Sequence, residues 1–105
     1  MSASLTELEQ PQADAITLAD VMQALGDPTR LDIVRSLYAG GERQCGSFVL
    51  GLSKATRSHH FRVLREAGLT HTRVDGAAHF VRLRDEDLEQ RFPGLLSAIV
   101  NAASR

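Results

Sequence analysis

From Gly51 to Leu83 the chain reads GLSKATRSHHFRVLREAGLTHTRVDGAAHFVRL. Ser53 is a residue type that caps helices, and the run from Lys54 carries Phe61 and Leu64 on one side. Ala67-Gly68-Leu69 closes that run: Gly68 suits the left-handed position after a helix, and Leu69 can fold back on the last turn. These signals predict a helix over about 54–67. Beyond it, Thr72, Val74, Val81 and Leu83 alternate on either side of Asp75-Gly76, a pair that favours the positive φ of a tight turn. The spacing predicts a two-stranded hairpin. A basic helix entered through a Gly-Leu-Ser turn and followed by a hairpin is the order of a helix-turn-helix with a wing.

Upstream, Leu18, Val21, Met22 and Leu25 fall at helical spacing, with Ile16 near the start and Gly26 at the end. Asp27-Pro28 is a cap followed by proline at the first helical position, and Leu31, Val34, Leu37 and Tyr38 mark one face of a second helix that stops at Gly40-Gly41. A weakly periodic segment from Arg43 to Leu50 reads as a short third helix. Downstream, Asp85 can cap a short acidic turn through Gln90, and Pro93 restarts a helix striped by Leu95, Leu96, Ile99, Val100 and Ala103. Residues 1–13 mix Ser, Glu, Gln and Pro without apolar period and read as a mobile tail. The expected fold is mainly α with a β-hairpin, a winged helix-turn-helix in the order helix, helix, helix, helix, hairpin, helix, over one domain of residues 14–105.

The 105 residues suffice for one domain, and 43% hydrophobic with 24% charged residues is ordinary globular composition. So small a domain has a thin core, and an apolar face left over seeks a second chain. The single cysteine, Cys45, excludes an internal disulfide and suits a reducing compartment. No apolar run is long enough to span a membrane and the first residues lack the pattern of a secretory signal, which points to the cytoplasm and to no membrane partner.

The net charge of -1 hides a strong division. Residues 53–84 hold seven bases against two acids, or +5, and all four histidines; the rest of the chain holds five bases against eleven acids, or -6. Such a positive segment is the electrostatic footprint of a nucleic-acid binder. An α-helix fits the major groove of B-DNA if its exposed face offers short hydrogen-bonding side chains for base edges and cations for phosphates. Lys54, Thr56, Ser58, His59 and Arg62 supply both kinds, and Ser53 leaves the helix N-terminus near a phosphate. The hairpin tip, with Arg73, Asp75, Gly76 and His79, can reach the neighbouring minor groove or backbone. Against this stands the plainer reading of a solvated basic face, with His60 packed at the core edge beside Phe61 and Arg82 and Arg84 as ordinary strand-edge charges. No glycine-rich phosphate loop, paired carboxylates or nucleophile with a placed base argues for an enzyme.

Two blocks, Ala24-Leu25-Gly26-Asp27-Pro28-Thr29-Arg30-Leu31-Asp32-Ile33-Val34 and Gly51 through Leu69, resemble the signature blocks of ArsR/SmtB-type winged-helix transcriptional repressors, and the resemblance extends over about 20–100. It implies a homodimer joined through the first and last helices, and an operator released when an inducer binds. It also carries a base-reading Ser-x-Ser-His pattern onto Thr56, Ser58 and His59. The sequence departs from the family in two places. Arg57 stands where an aliphatic residue is usual, on the inward side of its helix, so it must snorkel outward, pair with an acid or contact phosphate. The familiar metal sites are dismantled, since only Cys45 lies in the 43–50 segment, and Asp85 and Asp87 have no His or Glu counterpart beyond Arg91. No metal or other cofactor is therefore expected, and any inducer is unspecified.

The expected DNA-contacting residues are Ser53, Lys54, Thr56, Arg57, Ser58, His59 and Arg62 on the helix, with Arg73 and Gly76 on the wing. The expected dimer contacts are Val21, Met22 and Leu25 against Leu95, Leu96, Ile99 and Val100. The expected partner is a double-stranded, near-palindromic operator; the alternative is a winged-helix protein-interaction module that binds no DNA.

Overall fold

Two capped helices begin the fold. Thr17 caps α1 (Leu18–Ala24) by accepting from the Asp20 N–H at 3.2 Å, and Asp27 caps α2 (Pro28–Gly40) by accepting from the Arg30 N–H at 3.1 Å. The structure, a computed structural model, describes residues 9–48 and 51–104. After α2 come a two-residue strand β1 (Arg43–Gln44), a 3-10 turn at Cys45–Ser47, α3 (Lys54–Glu66), β2 (Thr70–Asp75), β3 (Ala78–Leu83), α4 (Asp85–Arg91) and α5 (Leu95–Ala103). The arrangement is a winged helix-turn-helix: a helical layer with a small antiparallel sheet ordered β1-β3-β2.

The end of α3 forms as its sequence requires. The Gly68 N–H donates to the Arg65 carbonyl and the Leu69 N–H to the Leu64 carbonyl, both at 3.1 Å, with Gly68 at φ 86°. That pair of bonds is a Schellman closure. It turns the chain directly into β2 and presses Gly68 onto Ile16: a Cβ at this position would lie 2.4 Å from Ile16 Cγ1. Ile16, Val34, Leu64, Leu69 and Val81 are almost wholly buried and tie α2, α3 and the sheet into one core.

The hairpin register pairs Thr70 with Leu83 and Asp75 with Ala78, so the turn residues are Gly76 and Ala77. Gly76 takes the positive φ, at 62°, with open space where a Cβ would sit.

Four expectations need correction. The acidic segment after the hairpin is the helix α4 rather than a turn, and its cap position is Arg84, without a side-chain capping bond, rather than Asp85. The segment 43–50 opens as a strand, Arg43 opposite Val81 and Gln44 opposite Phe80, before its single 3-10 turn. The free edge of β3 offers backbone hydrogen bonds that so short and weakly apolar a segment cannot supply as a helix. Phe48 then buries against Phe61, ring centroids 5.3 Å apart and edge-on, while Val49 and Leu50 lie outside the described residues. Pro93 does not begin the last helix: α5 starts at Leu95 behind Gly94, whose N–H donates to the Glu89 carboxylate at 3.2 Å. The described part of the expected tail is tied down. The Gln10 amide bonds the backbone of Thr72 in both directions at 3.0 and 2.9 Å, and the Pro11 carbonyl accepts from Arg84 Nη1 at 2.7 Å. Residues 1–8 lie outside the described residues.

Candidate nucleic-acid interface

α3 exposes the residues expected to meet DNA. Ser53 accepts from the Thr56 N–H at 3.2 Å and its hydroxyl donates to Thr56 Oγ1 at 3.0 Å, so the two hydroxyls lock the first turn together. Lys54, Thr56, Ser58, His59 and Arg62 are exposed along the same helix. Arg62 Nη2 lies 3.4 Å from His59 Nδ1, which pre-orients both side chains one turn apart.

Arg57 neither snorkels free nor finds an acid. It is half-buried, and no carboxylate pairs with it among the described residues. With Lys54, His59, Arg62 and Arg65 it lines one wall of an open groove of about 580 Å³; Ala77, Ala78 and His79 of the hairpin turn line the other. Among the described residues no Asp or Glu lines that groove. The charged side chains that line it are therefore all bases, as suits a surface that tracks phosphates.

The wing is less free than its composition suggests. Arg73 grips Glu42 through three contacts of 3.0–3.3 Å and lies 4.3 Å above the Phe80 ring. The guanidinium holds the Glu42 carboxyl below the usual carboxylate range. Gly76 and His79 remain exposed at the tip. Arg84, read as an ordinary edge charge, is instead buried, where it pairs with Asp87 at 2.9 Å and holds Pro11.

Behind α3 lies a junction that sequence reasoning reached only in part. His60 packs at the core edge as expected, and Arg30 joins it to the rest. Arg30 Nε donates to the Ala24 carbonyl at the end of α1 at 2.6 Å, while its Nη1 donates to His60 Nδ1 at 3.1 Å. A guanidinium can only donate, so His60 Nδ1 is the acceptor in this contact. Asp27 Oδ2 lies 3.9 Å from the same nitrogen, and its carboxyl is held low first by the Arg30 N–H that it caps. One guanidinium thus ties the end of α1 and the start of α2 to α3. The available signal was Arg30 itself, three residues past its cap.

The expected dimer residues divide. Val21, Leu25, Leu96 and Val100 are buried within the chain's own core, because α5 packs on α2 and α4 and α1 packs on α3. Met22, half exposed, and the part-buried Leu95 and Ile99 remain at the surface, joined by Leu18, which the expectation omitted. Cys45 is half-buried, and burial pushes its thiol up against the opposing pull of the Arg57 and Arg65 charges. Among the described residues no three His, Cys, Asp or Glu side chains converge to hold a metal ion.

Comparison with known proteins agrees with this architecture. The pattern of the bacterial regulatory protein family arsR matches residues 27–72, which run from the α2 cap through β2 as far as Thr72. The chain is 41% identical to the HTH-type transcriptional regulator YceK of Bacillus subtilis over 91 residues, 84% of this chain and 91% of that one. It is 37% identical over 76 residues to a homologue of the cadmium resistance transcriptional regulatory protein CadC from Staphylococcus aureus, covering 70% of this chain and 62% of the other. Among solved structures, a possible transcriptional regulatory protein from Mycobacterium bovis superposes with TM-score 0.65 at 27% identity, covering 84% of this chain and 91% of its own. Rv0081 of M. tuberculosis superposes at 0.61 and 26% identity, with 82% and 88% covered.

Proposed function

This chain belongs to the arsR family of bacterial regulatory proteins, a DNA-binding transcriptional regulator and not an enzyme, and on that premise we propose that it represses transcription as a homodimer on a near-palindromic operator. The observation that carries this reading is the exposed face of α3, where short hydroxyls and His59 stand beside cations that, among the described residues, pair with no acid, over a groove lined by none. In this reading Thr56, Ser58 and His59 meet base edges in the major groove, while Lys54, Arg57 and Arg62 take phosphates. Ser53 orders the helix N-terminus, and Gly76 lets the wing tip approach the backbone closely. Arg73 joins only if Glu42 releases it.

The dimer would use Leu18 and Met22 with Leu95 and Ile99, the members of the two stripes that the core leaves open. Burying a leucine-sized side chain is worth about 1.5 to 3 kcal/mol, so a symmetric patch of this size can offset the entropy of association. A cytoplasmic location goes with the reading, and no helix among the described residues is long and apolar enough to cross a membrane. We expect no response to cadmium or zinc, because one half-buried thiol per chain falls short of the converging ligands that either ion requires.

Selecting bound sequences from a random duplex pool tests the proposal. The expected product is an inverted repeat with half-sites about one helical turn, 10 to 10.5 bp, or a multiple of it apart. Affinity for that site should fall log-linearly with salt, with a slope of about -0.9 per phosphate contacted. Recovery of no sequence, with flat salt dependence, would favour a protein-interaction module. Adding cadmium or zinc to the same assay should change affinity by less than about tenfold; a larger change would reveal a missed site.

A further inference from the structure

The groove beside α3 holds more positive charge than its solvent-facing side displays. Arg57 and Arg65 are both half-buried on its wall, and no carboxylate pairs with either among the described residues. Arg65 Nε is buried without a hydrogen-bond partner. Thr72 lines the same groove at 3% exposure, and its Oγ1 is orphaned too. Unmade hydrogen bonds of this kind are costly and rare in native proteins, and half-buried guanidinium groups without a close ion pair add to the cost, although Glu66 acts on Arg65 from farther off. A water molecule can satisfy a hydroxyl, but it balances no charge. An oxyanion does both, since it accepts from several donors at once and neutralises the guanidinium pair. Cys45, which also lines the groove, brings no competing negative charge, because burial pushes its thiol pKa up.

We propose that this groove is a binding site for a small phosphate-type oxyanion, held by Arg57 and Arg65 over Thr72, and that a free anion seated there excludes the operator. The exclusion rests on the DNA-binding reading, because a backbone phosphate would claim the same Arg57. The shared chemistry is a phosphate group, and its source is either a free small molecule or the duplex itself. Regulation would then be direct competition at the reading head and would need no second sensor site.

Alkylation of Cys45 by iodoacetamide reports occupancy of the groove without DNA. Inorganic phosphate, exchanged for chloride at fixed ionic strength, should slow the reaction saturably. In Arg65→Gln and in Thr72→Val the half-saturating concentration should rise about tenfold or more, the usual consequence of losing a charge-assisted or buried hydrogen bond. Arg65→Lys, which keeps the charge but loses the fork, should fall between, and serves if the glutamine variant fails to fold. In a second arm, saturating phosphate should weaken binding of the selected operator by wild type and much less by Thr72→Val, whose buried hydroxyl takes no part in reading DNA. Equal effects of chloride and phosphate, or variants that titrate like wild type, overturn the proposal. Protection of Cys45 by duplex but not by phosphate assigns the groove to the DNA backbone alone and overturns the free-anion site while the DNA reading stands. Protection by phosphate in a protein that binds no duplex supports the anion site and overturns the DNA reading instead.

Discussion

On the side of α3 that meets α1 and α2, three polar side chains are tied together: His60 accepts from Arg30, Arg30 also holds the Ala24 carbonyl, and Asp27 caps α2 beside them. On the side that faces the hairpin turn, Arg57 and Arg65 have no ion-paired carboxylate among the described residues, and Lys54 and Ser58 stand open. The two sides share one helix of thirteen residues. The first spends its polar groups on orientation, so that α3 keeps a fixed angle to α1 and α2. The second leaves its charges unspent, which a chain selected for stability alone would not do. Substitutions should therefore separate cleanly: on the packed side they cost folding, and on the open side they cost binding.

The sharpest test of that separation is Gly68→Ala at the packed end of α3. The added Cβ both strains a φ of 86° and overlaps Ile16, so a loss of about 2 to 4 kcal/mol in urea unfolding is expected. Gly76→Ala provides the control. Its φ of 62° is equally left-handed, but open space surrounds the site, so only the conformational cost of about 1 kcal/mol applies. Operator affinity per folded molecule should survive the first change. Equal destabilisation by the two substitutions would show that Ile16 yields and that the junction is not tightly packed.

On the open side, His59→Ala should lose about 1 to 3 kcal/mol of discrimination per half-site with little change in stability, while Arg62→Ala should weaken all duplexes alike and reduce the salt slope by about one. Competition binding with selected and scrambled duplexes distinguishes these outcomes. If both variants discriminate like wild type, α3 is not the reader, whatever its charge.

How much of this the sequence disclosed depended on the reach of each interaction. α1, α2, α3 and the hairpin are legible because their caps, Gly68 and Gly76 act within a few residues. β1 is not, because two residues carry no period and its hydrogen bonds come from β3, nearly forty positions later. The same holds for Gln10 on Thr72 and Arg84 on Pro11, separated by 62 and 73 positions, which pin a segment that composition alone marks as mobile. The apolar stripes of α1 and α5 were legible as stripes. Which of their residues would serve the chain's own core was not, because that depends on how α5 packs on α2 and α4 and how α1 packs on α3. Of the site, the exposed residues of α3 were readable from helical spacing, whereas the capture of Arg73 by Glu42 needed the folded wing.

That capture suggests a smaller perturbation. Glu42→Gln frees Arg73 without touching α3 and should strengthen binding to any duplex by about threefold, raising the salt slope by about one if the arginine then reaches a phosphate. Unchanged affinity and slope would place the wing too far from the backbone for Arg73 to contribute.

The smallest expected effect concerns the wing's own stability. His71, half-buried on β2 and opposite Arg82, is held below its ordinary pKa, first by burial and then by the charges of Arg82 and Arg84, with Glu42 opposing. A lowered pKa means that the folded protein binds this proton less readily than the unfolded chain. The stability it confers is thus complete above the unfolded value of about 6.5 and is lost as pH falls through that value toward the folded one. Asp27 and Glu42 are held low in the folded state, so their contributions persist until the pH nears the ordinary carboxylate range of about 4, well below this window. Between about pH 7 and 5.5 the urea midpoint should therefore decline in wild type and decline less in His71→Gln, which keeps a neutral polar side chain in place. An identical decline in both would show that His71 does not set this pH dependence.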